Sequence, residues 1–341
     1  MPRDHYIGID IGGTKLLAGL VREDGAVVGR VKSKVPVGAR AAVLFREVRR
    51  LCAALLEGVP RSRGRLQAAG VGVPGMVDGR GRIVASPNID LAGFPLRDRL
   101  RRELGRPVAI GNDVNLAVLG EQWLGAARGL RDVVGLFPGT GVGGGVLVAG
   151  RLVTGAHGAA GELGHLLVDR DGPECGCGNR GCLEALASRR ALERRIRKAV
   201  DAGERSLVRK LSGGDLRVIR SGVLRKALKR GDPLVRRVLR KAGERLGEAC
   251  VSLRHVFDPE LFVFGGGLVE ACGFYLLPIV RRSLDADPFF RKLGRCRVAA
   301  AGLGDDAVLL GAVAAAMGLP SSKRSVAPFA KRTAAKALPK E

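Results

Sequence analysis

The chain has 341 residues, 46% of them hydrophobic, with 58 Lys/Arg against 33 Asp/Glu and a formal net charge of +25. That length suits about two domains with substantial cores, and no run approaches the ~18 to 20 apolar residues of a membrane span. A β-like pattern begins at His5 with no signal-peptide core ahead of it, so a cytoplasmic protein is expected.

Four of the seven cysteines, Cys52, Cys250, Cys272 and Cys296, sit singly in apolar segments, as buried thiols do in a reducing compartment. The charge points toward nucleic acid until it is located. Residues 189–241 hold 19 Lys/Arg against 5 Asp/Glu, and residues 320–341 hold 6 against 1. In the first stretch the basic residues alternate with Leu, Val and Ile at helical spacing, which reads as a solvated helical face rather than a groove for nucleic acid or polyphosphate. The second, rich in Ala, Lys and Pro, reads as a disordered basic tail.

In chain order, 6–10, 16–21 and 26–35 read as an antiparallel meander. A helix is expected at 41–56, a buried strand at 68–73, a basic helix at 96–104 and a short strand at 107–110, leading through Gly111-Asn112-Asp113 into a helix at 114–124. A second cycle runs from strand 133–137 through a glycine turn to strand 145–148 and its continuation at 150–153. Helices start at Leu183 and fill 191–253, strand 261–264 follows, and Gly265-Gly266-Gly267 opens another helix. Two halves that each begin with a hairpin and pass into α/β units imply a duplicated fold with a cleft between them.

Three glycine turns follow strands: Gly12-Gly13-Thr14, Gly139-Thr140-Gly141 with Gly143-Gly144-Gly145, and Gly265-Gly266-Gly267. Glycine lets backbone N–H groups close on an anion and threonine adds a hydroxyl donor, so together these turns suit a polyphosphate. Gly139/Gly141/Gly144 and Gly70/Gly72/Gly75 also satisfy G-x-G-x-x-G. The first match runs into a strand and the second is broken by Pro74, which excludes a dinucleotide fingerprint. No Walker A lysine leads into a helix either.

Asp10, at the end of the first strand, is placed to orient Mg²⁺, and Lys15 to meet a phosphate. Asp113 sits where a strand meets a helix, as a proton acceptor or as a helix N-cap; the helix dipole is expected to keep it ionised and therefore a weak base. His165, Cys175, Cys177 and Cys182 form a Cys3His set around a Gly-rich loop, the donors of a closed structural zinc site. Zinc on one ring nitrogen would aim the other outward. Glu162, His165 and Glu184, with the amide of Asn88, supply the hydrogen-bonding groups a polyol needs.

With these pieces in place the chain resembles the ROK family of bacterial repressors and sugar kinases, in its glucokinase-like branch. The resemblance runs from Ile7 to about Met317, through Asp10-Ile11-Gly12-Gly13-Thr14-Lys15, Val73-Pro74-Gly75, Asn112-Asp113, the 139–145 glycines, Gly161-Glu162-Leu163-Gly164-His165, the cysteine loop to Glu184, Asp258-Pro259-Glu260 and Gly265-Gly266-Gly267. It implies an α/β, actin/hexokinase-like fold of two RNase-H-like lobes. The small lobe would be 1–111 plus about 305–319, with the last helix returning to it; the large lobe would be 112–304, carrying the zinc loop 165–182 and the basic helices 189–241.

It further implies Asp113 as base, Asn88, Asn112, Glu162, His165 and Glu184 on the sugar, the glycine turns on ATP with Mg²⁺, and a homodimer or homotetramer. The expected reaction is phosphorylation of glucose at its 6-hydroxyl. The alternatives are another hexose (fructose, mannose or an N-acetylated amine), polyphosphate as donor, or a sugar-sensing repressor, the last disfavoured because only nine residues precede Asp10. Phe94, Val114 and Pro138 depart from the family pattern, where Trp and Ala are common at the first two positions. They bear on sugar choice and loop shape.

Overall fold

The computed structural model describes residues 4–36, 38–57, 64–87 and 89–318. The basic tail 320–341 lies outside them.

The first half runs β1 (His5–Ile11), β2 (Lys15–Arg22), β3 (Val27–Lys34), α1 (Ala41–Glu57), β4 (Leu66–Val73), a small hairpin β5 (Met76–Val77) and β6 (Ile83–Ala85), α2 (Leu96–Leu104), β7 (Val108–Asn112) and α3 (Asp113–Leu124). The second runs β8 (Val133–Pro138), β9 (Val142–Val148), β10 (Arg151–Leu152), α4 (Leu183–Ala187), α5 (Arg189–Asp201), α6 (Val208–Leu211), α7 (Ser221–Lys229), α8 (Pro233–Phe257), β11 (Leu261–Phe264), α9 (Gly267–Ala286), β12 (Arg297–Ala300) and α10 (Ala307–Ala316). The sheets are ordered β3-β2-β1-β4-β7 and β10-β9-β8-β11-β12. In each, two antiparallel pairings are followed by two parallel ones, so the halves repeat one topology. No helix among the described residues is long and apolar enough to cross a membrane.

The expected elements form, with three differences. The β5/β6 hairpin was not anticipated, being too short for alternation to register. The helical stretch 191–253 is broken into separate helices, with buried Asp232 capping α8 by accepting from the Val235 N–H at 2.9 Å just ahead of Pro233. The strand expected at 145–148 starts at Val142, so Gly143-Gly144-Gly145 belong to the ladder with β8 and not to a turn. They are small because they are overlain: a Cβ on Gly144 would stand 2.5 Å from the Gly161 carbonyl oxygen, and one on Gly143 would stand 2.4 Å from a Val114 methyl.

Alternation in β1 sorts the core. Ile7, Ile9 and Ile11 face one way, into a cluster with Leu44, Val48 and Leu51 of α1 and with Leu96 and Leu100 of α2. Gly8 and Asp10 face the other way, toward α10 and the cleft. On that face α10 comes close enough to touch backbone. A Cβ on Gly8 would meet the Leu309 carbonyl oxygen at 2.3 Å, and one on Gly70 the Ala312 carbonyl oxygen at 1.8 Å.

α10 lies equally close to α3, where a Cβ on Gly311 would meet the Leu116 carbonyl oxygen at 1.7 Å. Leu116, Val118 and Leu119 of α3 and Ala312 and Ala314 of α10 share a core with Val133, Leu147, Leu261 and Val263 of the second sheet. The α3/α10 pair is thus the layer between the two sheets. The Gly70/Gly72/Gly75 match has its explanation here: the first two make room for α10, and the third makes room for the Ala85 carbonyl.

The basic helices turn their apolar stripes inward, with Leu192, Ile196, Leu224, Leu228, Val235 and Leu239 all buried against the second sheet's helical layer. Several of their arginines are tied to carbonyls: Arg195 donates to Leu186 at 3.1 Å, and Arg197 donates to Leu216 at 3.2 Å.

Gly70→Ala should force α10 off the first sheet and destabilise the protein by about 1–3 kcal/mol, the usual cost of overpacking. Thermal unfolding would show this as a lowered midpoint, and an unchanged midpoint would mean that the close approach is not a constraint.

Candidate functional site

The cleft between the sheets holds a cavity of about 570 Å³, walled by Asp10, Asp113, Val114, Phe137, Gly265, Gly266, Phe274, Pro278, Arg281, Gly304 and Asp305 among others. Both halves contribute. Asp10 ends β1, Gly265-Gly266 follow β11, and Asp113 is the first residue of α3, at the carboxyl ends of parallel strands where open α/β sheets place ligands.

The cap of α3 is Asn112, not Asp113. Asn112 Oδ1 accepts from the Asn115 N–H at 3.0 Å, and its Nδ2 donates to the Gly75 carbonyl at 3.1 Å. The amide expected to face a sugar is therefore largely spent on anchoring the helix start. Asp113 accepts from the N–H of its neighbour Val114 at 2.9 Å and presents its carboxylate to the cavity.

Burial pushes the Asp113 carboxyl up to about 6; the Val114 N–H opposes the shift and the Glu162 charge adds to it. The expectation that the helix dipole would hold this group ionised with a low pKa is thus corrected, because loss of water outweighs the dipole. Asp10 is pushed up to about 7, first by burial and then by the Asp113 charge, with Lys15 opposing and Asp305 reinforcing.

Lys15 Nζ sits 2.9 Å from Asp305 Oδ2, so the lysine read as a phosphate contact is paired across the mouth of the cavity with the turn ahead of α10. Gly12, Gly13 and Thr14 close the β1–β2 hairpin, where the Gly12 N–H donates to the Lys15 carbonyl at 2.9 Å and the Thr14 carbonyl accepts from the Val35 N–H at 3.0 Å.

In the second turn the Gly139 N–H donates to the Gly141 carbonyl at 2.8 Å, and Thr140 Oγ1 accepts from Arg189 at 3.0 Å. Gly266 has φ +80°, in the left-handed region, where it opens α9 beside the Pro138 carbonyl and where a side chain would be strained. Gly267 is the first residue of that helix.

Glu162, His165 and Glu184 are brought together beside Asp113. The Glu162 carboxyl is raised by burial and by the Glu184 charge, with His165 opposing. Glu184 Oε2 accepts from the Val142 N–H at 2.9 Å and fills the space over Gly141, while Oε1 lies 4.0 Å from Cys175 Sγ. One carboxylate therefore touches both the second glycine turn and the cysteine loop. Asn88 lies outside the described residues.

The ligating atoms of His165, Cys175, Cys177 and Cys182 all lie within 4.8 Å of one another. Cys175 Sγ is 3.7 Å from His165 Nδ1, and Cys177 Sγ is 3.7 Å from Cys182 Sγ. Thiolates 2.3 Å from a tetrahedral zinc stand about 3.8 Å apart, so the donor set fits that ion. The spacing is far too long for a disulfide, and the three thiols and the imidazole belong to a loop anchored on α8 by Asp169, which pairs with Arg245 at 3.1 Å. With Nδ1 toward the thiols, the Nε2 edge of His165 is the one left for a ligand.

Three residues of the site were not read from the sequence. Glu121 is fully buried near the end of α3 and accepts from the N–H groups of Ala126 at 2.7 Å and of Gly302 and Leu303 at 2.9 Å each, fixing the turn that carries Asp305. Arg189 and Asp305 each pair with a residue assigned to phosphate. A glutamate in an apolar helix looks the same in sequence whether it faces solvent or a buried turn.

The ROK family model matches residues 6–318. A glucokinase of Thermotoga maritima is 36% identical over 315 residues, covering 92% of this chain and 97% of that protein. Among solved structures, a ROK family glucokinase from Streptomyces griseus in complex with glucose and AMPPNP superposes with a TM-score of 0.77 at 34% identity, covering 92% of this chain and 99% of that one. A ROK hexokinase from Thermus thermophilus gives a TM-score of 0.76 at 34% identity, with 92% and 98% covered.

A carboxyl whose folded pKa is raised stabilises the fold below its unfolded pKa, and that stability is lost as pH rises through the folded value. For Asp113 the loss falls between about pH 4 and pH 6. Because the group lines an open cavity, the loss is at most about 2 kcal/mol after screening. Asp113→Asn should therefore stabilise the ligand-free protein more at pH 8 than at pH 4.5 in denaturant titrations. A pH-independent difference would contradict the shift.

Proposed function

Since the chain belongs to the ROK family, we propose that it is an ATP-dependent hexokinase, transferring the terminal phosphoryl group of ATP to the 6-hydroxyl of glucose to give glucose 6-phosphate and ADP. The observation that carries this reading is the position of Asp113. It lines the nucleotide-sized cavity and, on its other side, feels the charge of Glu162, one of three polar residues suited to a polyol. Glucose is the sugar named for two of the three relatives above, the glucokinases of Thermotoga maritima and Streptomyces griseus.

Asp113 accepts the proton of the 6-hydroxyl as the oxygen attacks phosphorus and ADP leaves. A carboxyl with a pKa near 6 is a better acceptor than an ordinary aspartate and is still ionised at neutral pH. A loose phosphoryl transition state asks for the proton late, so a positioned acceptor suffices. Glu162, Glu184 and the Nε2 edge of His165 hold the sugar hydroxyls. The turns at Gly12-Gly13-Thr14, Gly139-Thr140-Gly141 and Gly265-Gly266-Gly267 offer N–H donors to the phosphates. Lys15 can leave Asp305 for a phosphate oxygen, an exchange between two exposed partners at small cost.

Asp10 suits Mg²⁺, because a buried carboxyl beside a second one regains its charge next to a cation. When bound, the ion would neutralise phosphate charge. His165, Cys175, Cys177 and Cys182 would hold zinc as a structural tie that sets the aim of His165. We assign 1–111 with about 305–319 to one lobe and 112–304 to the other, closing on the cleft to exclude water, and expect a homodimer or homotetramer from the family.

ADP release by the purified protein should depend on glucose, and Asp113→Ala should lower turnover by about 10²-fold or more while the fold melts cooperatively. No turnover with glucose, fructose, mannose or their N-acetylated amines would overturn the reading. Cys177→Ala should lose zinc and weaken glucose binding by about tenfold or more. Full affinity without the metal would show that the loop does not support the sugar site.

A further inference from the structure

α9 contains Pro278 at its twelfth residue, within a helix whose cavity-facing stripe includes Val269, Gly273, Phe274, Leu277 and Arg281. A proline inside a helix has no N–H to give to the carbonyl four residues back, and its ring pushes that carbonyl outward. The carbonyl so released is that of Phe274. Both residues line the cavity, so the carbonyl denied that bond by Pro278 belongs to the cavity-facing stripe. The Phe274 ring is itself 57% exposed, an unusual state for a large aromatic, on a stripe of α9 whose Glu270, Pro278 and Arg281 are exposed as well.

The position along the helix matches a nucleotide laid from Gly266 outward. At 1.5 Å per residue, Phe274 lies about 10 Å and Pro278 about 16 Å beyond Gly267, past the phosphates held at the helix start and the ribose that follows. Arg281, one turn further, is already donating to the Val298 carbonyl at 3.1 Å and closes that end.

We propose that the Phe274 carbonyl, released from the helix ladder by Pro278, accepts the exocyclic amine of an adenine base stacked on the Phe274 ring, and so makes the donor site select adenine over 6-oxopurine nucleotides. The inference rests on reading the cavity as the nucleotide site. A 6-oxopurine presents an oxygen where the amine would be, setting two acceptors against each other, and an unsubstituted purine leaves the carbonyl unpaired.

Calorimetric titration with ADP, IDP and purine riboside 5′-diphosphate tests this without relying on turnover. The wild-type protein should bind ADP at least about tenfold more tightly than either analogue, the usual penalty for an unpaired polar group at a site. Pro278→Ala restores an N–H that recaptures the carbonyl, and the change favours helix, so the variant should fold. Its preference for ADP over purine riboside 5′-diphosphate should fall to within about threefold.

Equal binding of the three nucleotides by wild type, or an undiminished preference in a folded Pro278→Ala variant, would overturn the proposal. Glucose-dependent turnover of ATP alongside equal binding would overturn it alone and leave the kinase intact. Failure of ADP to bind at all would overturn both.

Discussion

The chemistry of the molecule depends on one close approach, that of α10 to the first sheet and to α3. Gly8 and Gly70 on the sheet side and Gly311 on the helix let backbone lie against backbone, leaving no room for a Cβ. Because α3 begins at Asp113 and α10 follows directly on Gly304-Asp305, this packing fixes two walls of the cleft relative to Asp10 on β1. Glu121 reinforces the arrangement. Buried, and accepting from three backbone N–H groups, it holds the turn before α10 against the far end of α3, a contact that is costly to break because each donor would be left unpaired.

The same packing sets the electrostatics. Asp10 and Asp113 are brought into a partly dry cleft within reach of each other's charge, and both rise well above the ordinary carboxylate range. A site built this way favours a cation, which relieves the repulsion and can in turn hold a phosphorylated ligand. On the sugar side Glu184 joins two features that look separate in sequence. It lies two residues beyond the last cysteine of the His/Cys loop and accepts from the Val142 N–H beside the second glycine turn. The cysteine loop and the second glycine turn are thus braced by one side chain, a direct route by which binding at the sugar and phosphate sites proposed here can influence each other.

Much of this was legible in the chain. Repeated hairpins with glycine turns and helical periodicity at 41–56 and 114–124 marked a duplicated α/β fold, and the cysteine spacing marked a His/Cys set that the structure gathers closely enough to hold a metal ion. The parts that escaped depend on three dimensions. Gly143, Gly144 and Gly145 look like a phosphate loop in sequence but lie in a strand, because sequence cannot show that Val114 and Gly161 press upon them. Asn112 and Asp113 could each have capped α3, and only the backbone direction decides for Asn112. The helix dipole suggested a low pKa for Asp113, whereas its burial, which no local pattern encodes, raises it. Pro278 was visible as a residue but not as a gap in a ladder facing a cavity.

The central claim is that Asp113 takes the hydroxyl proton and does so with a raised pKa. The pH dependence of kcat/KM for glucose tests it most directly, because that ratio reports the essential base of the free protein. The account predicts a profile that is level above pH 7 and falls about tenfold per unit below about pH 6. A profile that stays flat from pH 8 down to pH 4.5 would contradict it, since an acceptor ionised throughout that range is an ordinary carboxylate and not the buried one described here.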